Sequence, residues 1–252
     1  MAKGGGARIQ SGDLARAIGL LTRLPVQTDD VRSAQAAWAW PLAGALVGLL
    51  AALSGAIALG LGLPVELAAG LAITTQIIVT GAMHEDGLAD CADGFWGGHD
   101  SDQRLKIMRD SRIGTYGVIS ICLSVLLRWS MLAALFSAGA IVGPIVAAAA
   151  LSRVPLVALM CWLEPVRVGG LSARVGRPDP EALVLAAAVA LLLALLFTGF
   201  AALPAAAIAV FMGWGVARVA LAKIQGQTGD VLGASQQMAE IGILAVLTAL
   251  YI

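Results

Sequence analysis

Seven stretches of this chain are long and apolar enough to cross a lipid bilayer as helices, and that constrains its fold more than any motif does. A span takes roughly 20 mostly apolar residues. The stretches are 38–63, 67–83, 116–138, 141–163, 182–203, 205–222 and 231–252. The last is the weakest, because Gln236, Gln237 and Glu240 fall in its first half. Composition agrees: 59% of the residues are hydrophobic and only 13% charged, where a soluble domain carries about 25% charged. So little charge cannot cover a water-exposed surface, which excludes a soluble globular domain. The expected fold is all-α: a polytopic membrane helical bundle of about seven transmembrane helices (six to eight), forming one integral membrane domain over 1–252. Ahead of it, 13–23 puts Leu14, Ala17, Ile18 and Leu21 on one helical face. That pattern predicts an N-terminal interfacial helix.

Orientation follows from lysine and arginine. The N-terminal segment carries Lys3, Arg8, Arg16, Arg23 and Arg32. The segment 84–112 carries Arg104, Lys106, Arg109 and Arg112; 164–180 carries Arg167, Arg174 and Arg177; Lys223 opens the last polar segment. The turns near Pro64, Gly139 and Pro204 carry none. This alternation predicts a cytoplasmic N-terminus and a cytoplasmic home for every long polar segment. The first 35 residues do not read as a cleaved signal peptide, since no apolar core precedes a cleavage site. Formal net charge is zero, so nothing points to a nucleic-acid partner. Cys91, Cys122 and Cys161 are scattered and form no C-x-x-C, so neither a disulfide framework nor a zinc site is signalled.

The chemistry then has to lie in the polar segments 84–117 and 223–236. The densest string is His84-Glu85-Asp86-Gly87-Leu88-Ala89-Asp90-Cys91-Ala92-Asp93-Gly94. On a helix, Asp86, Asp90 and Asp93 fall within an arc of about 60°. Three carboxylates on one face repel one another, and a divalent cation removes that penalty. Hard oxygen ligands with room for a substrate phosphate suit Mg²⁺. A solvated acidic turn is the plainer alternative. His84 is open to three roles: general base, orienter of a carboxylate, or metal ligand.

Two further strings suit phosphate. In 104–117, the guanidinium and ammonium groups of Lys106, Arg109 and Arg112, with Asp110 and Ser111 between them, match phosphate oxygens. For Arg104 and Lys106 a role as topology markers explains them equally well. In Gly226-Gln227-Thr228-Gly229-Asp230, a glycine-rich turn enters a helix and offers free N–H groups at Gly229. Thr228 adds a hydroxyl, and Asp230 could ligate a metal or cap the helix. Arg128, Arg153 and Arg218 lie inside spans, where charge is expensive. Glu164 or Glu240 could pair with the first two, and Arg218 could snorkel to the interface.

The strings 84–94, 106–117 and 226–234, with Leu21-Thr22-Arg23-Leu24-Pro25-Val26 and the Pro41/Gly44/Gly48 start of the first span, resemble the cobalamin synthase family. No motif acid departs from that family's pattern. The resemblance implies an adenosylcobinamide-GDP ribazoletransferase of the bacterial inner membrane. Such an enzyme joins adenosylcobinamide-GDP to α-ribazole or its 5′-phosphate and releases GMP, with Mg²⁺ as cofactor. The residues fit that reaction with Asp86, Asp90 and Asp93 holding Mg²⁺, together with Asp110 or Asp230, and with Arg109, Arg112 and Thr228 holding pyrophosphate or guanosine phosphate. His84 or a metal-bound aspartate would take the acceptor proton. The lipid bilayer is the other partner expected, and a homo-oligomer is compatible with this reading. Two alternatives stand beside it. Asp90-x-x-Asp93-Gly94 begins like the signature of the CDP-alcohol phosphotransferases, but Phe95-Trp96-Gly97-Gly98 follows where that signature needs an Ala-Arg pair. A transporter would need acids through the membrane depth and an inverted repeat, and the sequence displays neither.

Overall fold

The computed structural model describes residues 9–27, 34–167 and 169–252; the topology markers Lys3, Arg8 and Arg32 lie outside them. Within the described residues the chain is helical throughout, apart from one isolated parallel bridge between Pro165 and Gln227. The first helix, α1, is Asp13–Leu21. Ala17 and Leu21 face the bundle while Leu14 stays exposed, as an interfacial helix requires. Asp13 accepts from the Trp38 indole N–H at 3.0 Å, which ties α1 to the first span.

The spans follow as α2 (Trp40–Gly60), α3 (Val65–Thr80), and then, after α4 (Met83–Gly97) and α5 (Ser101–Ile107), α6 (Thr115–Ser137). Next come α7 (Val142–Leu151), α8 (Val154–Trp162), the short α9 (Leu171–Val175), α10 (Pro180–Thr198), α11 (Ala202–Ile224) and α12 (Gly229–Tyr251). Among the described residues, five stretches are long and apolar enough to span, or six if α3 with α4, bent by 87°, count as one. One of the five, Pro180–Ile224, has 45 residues, or roughly 68 Å as a straight helix, over twice the bilayer core. It folds back at Gly199 (φ 58°). Leu183 near the start of α10 and Ala217 near the end of α11 line the same groove, so this stretch is a hairpin of two spans. With 16 residues, α3 alone is shorter than the roughly 20 that a span takes. It is followed by α4, which turns away at its end and is too rich in acids to cross.

Small residues let the spans approach closely, the usual basis of helix association in lipid. A side chain at Gly48 would press on the Ile145 carbonyl at 3.0 Å and the Ala149 methyl at 2.9 Å, so α2 and α7 meet nearly backbone to backbone. Ala182, Ala186, Ala190 and Ala194 form the buried stripe of α10. The span expected at 141–163 is broken into α7 and α8 around Ser152 and Arg153. Pro155, at the start of α8, lacks an N–H and clashes with the carbonyl four residues back.

Candidate active site

The polar segments, far apart in sequence, converge at one end of the bundle. The Arg23 N–H donates to Val79 O (2.7 Å), and the Arg104 guanidinium donates to Lys223 O (3.0 Å). Val166 and Gln227 are joined through their backbones (3.0 Å). The corner between α3 and α4 is made by Gly81 and Ala82, both left-handed (φ 65° and 58°). It drops α4 across the first turns of α12. Gly87 lies so close to α12 that a methyl group there would sit 2.7 Å from Asp230 O. Gly233 likewise admits the backbone of His84.

Neighbouring acids on α4 meet opposite environments. Glu85 points into the bundle and is buried. Its carboxylate accepts from Arg128 of α6 at 2.9 Å and from the Gln237 amide at 3.2 Å. Arg128 also lies 3.7 Å from Glu240, which in turn pairs with Arg153 at 3.4 Å. Gln236, Gln237, Ser124 and Ser152 close the network. Two buried cations thus face two buried anions, linking α4, α6, α12 and the break between α7 and α8. Of the partners considered for Arg128 and Arg153, Glu240 serves both, while Glu164 pairs with Arg177 at the surface (2.6 Å). Acids therefore do lie deep in the bundle, contrary to the sequence reading. They are paired with arginines in a buried network. Arg218 faces outward, 5.8 Å from the Trp214 ring, consistent with snorkelling.

On the other side of α4 lie Asp86, exposed, and Asp90, half-buried. Burial first, then the charges of Asp230 and Asp86, push the Asp90 carboxyl up to about 7; Arg167 opposes them. Asp230, in the first turn of α12, pairs with Arg167 at 3.0 Å. Arg167 keeps its Nε and Nη2 buried without a partner. Sequence reasoning treated Arg167 only as a topology marker. Its place depends on the pairing of 164–166 with Gln227, which no local pattern reveals.

Three expected site residues have other employment. Both Asp93 carboxylate oxygens accept backbone N–H groups, from Gly114 at 2.7 Å and Gly117 at 2.9 Å. Asp93 thus braces the start of α6 and the loop before it, rather than joining a ligand set. Thr228 is fully buried. Its hydroxyl donates to Asp230 (3.2 Å) and accepts the Val231 N–H (3.3 Å), so it caps α12 and is not offered to a phosphate. His84 does not share the aspartate face: on α4 it stands roughly 180–240° from Asp86, Asp90 and Asp93. It is 2% exposed, and burial, then Arg153 and Arg128, hold its imidazole well below the ordinary value.

The basic segment is the exposed part of the site. Lys106, Arg109, Asp110, Ser111 and Arg112 all reach solvent. Arg112 pairs with Asp110 at 2.8 Å, and its hydrogen bonds hold the Asp110 carboxyl down at about 2. Arg104 is structural: each of its three guanidinium nitrogens donates to a carbonyl, of Gly98, Lys223 and His99. Gly229 begins α12 beside the acid cluster. Among the described residues, no three His, Cys, Asp or Glu side chains converge as a ready-made metal site. The donor chemistry nevertheless fits a hard cation: Asp86, Asp90 and Asp230 supply only carboxylate oxygen, and burial and the neighbouring acids push the Asp90 carboxyl up.

The fold and site together define a multi-pass membrane protein whose acidic and basic groups meet at one end, as phosphate chemistry at a membrane surface requires. The chain belongs to the cobalamin-5-phosphate synthase family, whose model matches residues 13–248. It is 45% identical over 242 residues to the adenosylcobinamide-GDP ribazoletransferase of Bradyrhizobium diazoefficiens, covering 94% of this chain and 93% of that relative. The enzyme of the same name from Azorhizobium caulinodans is 44% identical over 248 residues, with 92% and 93% covered. One from a Sinorhizobium species is 42% identical over 249 residues, with 93% and 95% covered. No solved structure matches the chain.

Proposed function

We propose that this protein transfers the adenosylcobinamide phosphate of adenosylcobinamide-GDP to α-ribazole or α-ribazole 5′-phosphate, at the cytoplasmic face of the bacterial inner membrane. The observation that carries this reading is the meeting of the acid string of α4, the Arg167 guanidinium and the Gly-Asp start of α12 in a member of the family. The acceptor hydroxyl oxygen bonds to the phosphorus next to cobinamide. The bridging P–O bond breaks, GMP leaves, and the hydroxyl proton passes to a carboxylate of the cluster. Such a transfer depends on positioning and on stabilising the charge that builds on phosphate oxygens.

Asp86, Asp90 and Asp230 are the residues that would hold Mg²⁺, which when bound supplies charge neutralisation to the diphosphate. Arg167 directs two unused N–H donors from beside Asp230. Lys106, Arg109 and Arg112 offer exposed cations for the departing GMP, with Ser111 and the Gly229 N–H as further donors. Asp93 and Thr228 hold the two loops in place, and His84 takes no part in proton transfer at the acid cluster.

The test is incubation of the purified protein in liposomes with adenosylcobinamide-GDP, α-ribazole 5′-phosphate and Mg²⁺, following GMP and the cobamide by chromatography. Both products should form together and vanish with EDTA. No product from the intact, folded protein would defeat the reading; CDP-diacylglycerol with an alcohol is the control for the phosphotransferase alternative.

A further inference from the structure

A groove of about 420 Å³ opens on the flank of the bundle between α8, α10 and α11. Small residues make it: Ala158, Ala187, Ala206 and Ala217 put little bulk between the three helices. Gly213 closes the floor, where a side chain would press on Pro155 Cβ at 2.8 Å. The wall is hydrocarbon apart from the indoles of Trp162 and Trp214, which are 69% and 58% exposed. Val210 on the rim is exposed as well, so the groove faces lipid and not the bundle interior.

Its extent matches one leaflet. On α10 it runs from Leu183 to Leu191, the part of that helix nearest the active site, and on α8 from Val154 to Trp162. Each stretch rises about 12 Å, close to half of the roughly 30 Å hydrocarbon core. Spans gain no hydrophobic driving force by meeting one another in lipid, so a gap between them is filled by whatever makes the best dispersion contact. A single hydrocarbon chain has the length and the width for this one.

The end of the groove nearest the active site carries an unanswered cation. α11 reaches that end, where Lys223 O holds Arg104. Arg218 follows Ala217 of the groove directly, and its guanidinium lies 5.8 Å from the Trp214 ring. It is exposed and has no carboxylate partner among the described residues. Tryptophan marks the headgroup level of a bilayer, and the anion found there is phosphate, which takes a guanidinium through paired hydrogen bonds.

We propose that this groove is a binding site for a glycerophospholipid, with one acyl chain lying between α8, α10 and α11 and the phosphate on Arg218. The lipid is then a structural ligand that joins α8 to the α10–α11 hairpin. The proposal does not depend on the transferase reading.

The test uses the whole chain, purified in mild detergent and stripped of lipid, with dioleoylphosphatidylglycerol, dioleoylglycerol or glycerol 3-phosphate added. Native mass spectrometry reads the bound lipid, and thermal unfolding its effect. The unaltered protein should hold one phosphatidylglycerol roughly tenfold more tightly than dioleoylglycerol, unfold at a higher temperature with it, and ignore glycerol 3-phosphate. Arg218→Gln should bring the two lipids to the same affinity. Ala187→Leu, which fills the groove, should weaken both alike. Both positions lie on the lipid side, so both variants should fold, as circular dichroism would verify. Phosphatidylglycerol held equally by the unaltered protein and both folded variants would overturn the proposal and reduce the lipid to the general annulus. Glycerol 3-phosphate bound as tightly as the lipid would overturn it by giving Arg218 to a soluble phosphate. A dimer that forms without lipid and that Ala187→Leu dissociates would overturn it by giving the groove to a second copy of the chain.

Discussion

Glu85 and Asp86 are neighbours in sequence, yet they belong to two charge systems of opposite design. Glu85 enters the buried quartet with Arg128, Glu240 and Arg153, in which every charge is answered inside the protein. Asp86 joins Asp90 and Asp230, where three carboxylates share the single cation of Arg167. The buried quartet balances two cations against two anions and ties helices together, although Glu85 Oε2, Glu240 Oε1 and the Nε atoms of Arg128 and Arg153 make no hydrogen bond. The second system holds more negative than positive charge among the described residues. The comparison teaches that charge inside a membrane protein marks function only where it is left unbalanced.

The comparison can be broken at either end. Asp90→Ala should lower turnover by roughly 10³-fold with thermal stability and membrane insertion unchanged; near-normal turnover would remove the acid cluster from the reaction. Arg128→Met should do the reverse. It strands Glu85 in the interior and should cost about 3–5 kcal/mol of stability. Adding Glu85→Gln to it should recover most of that loss in a thermal unfolding assay in detergent. A double variant as unstable as the single one would show that the quartet is not a closed system.

Arg167→Met should raise the KM for adenosylcobinamide-GDP roughly tenfold, because hydrogen bonds to charged groups contribute ~1.5–3 kcal/mol. Arg112→Ala, at a side chain 87% exposed, should raise it only about twofold. Acidity sharpens the comparison further. A cation must displace the proton that Asp90 holds up to about 7, so the half-saturating Mg²⁺ concentration should climb as pH falls below about 7 and level off above it. A requirement flat across that range would take Asp90 out of the ligand set.

Much of this site was legible in the sequence because it depends on local spacing. The i, i+4, i+7 aspartates identified an acidic helix face, and Thr228-Gly229-Asp230 identified a helix start. Spacing could not reveal that Asp93 would turn to the N–H groups of Gly114 and Gly117, twenty-one and twenty-four residues on. Nor could it bring Arg167 to Asp230 across 63 residues, since that depends on how helices cross; His84, by contrast, stands off the aspartate face by helical spacing alone.

By itself the sequence determined that the chain must live in a bilayer as a helical bundle, and which short strings carry acids and bases. Hydrophobic length and charge alternation are properties of the chain alone, read against a solvent of fixed thickness. Only the tertiary structure decided which charges would be neutralised. The left-handed corner at Gly81 and Ala82 and the glycine contacts of Gly87 and Gly233 set α4 against α12. That crossing sends Glu85 to its arginines and leaves Asp86 and Asp90 with Asp230, because the energy of a charge depends on what lies within a few ångströms, and adjacent side chains on a helix point to different neighbours.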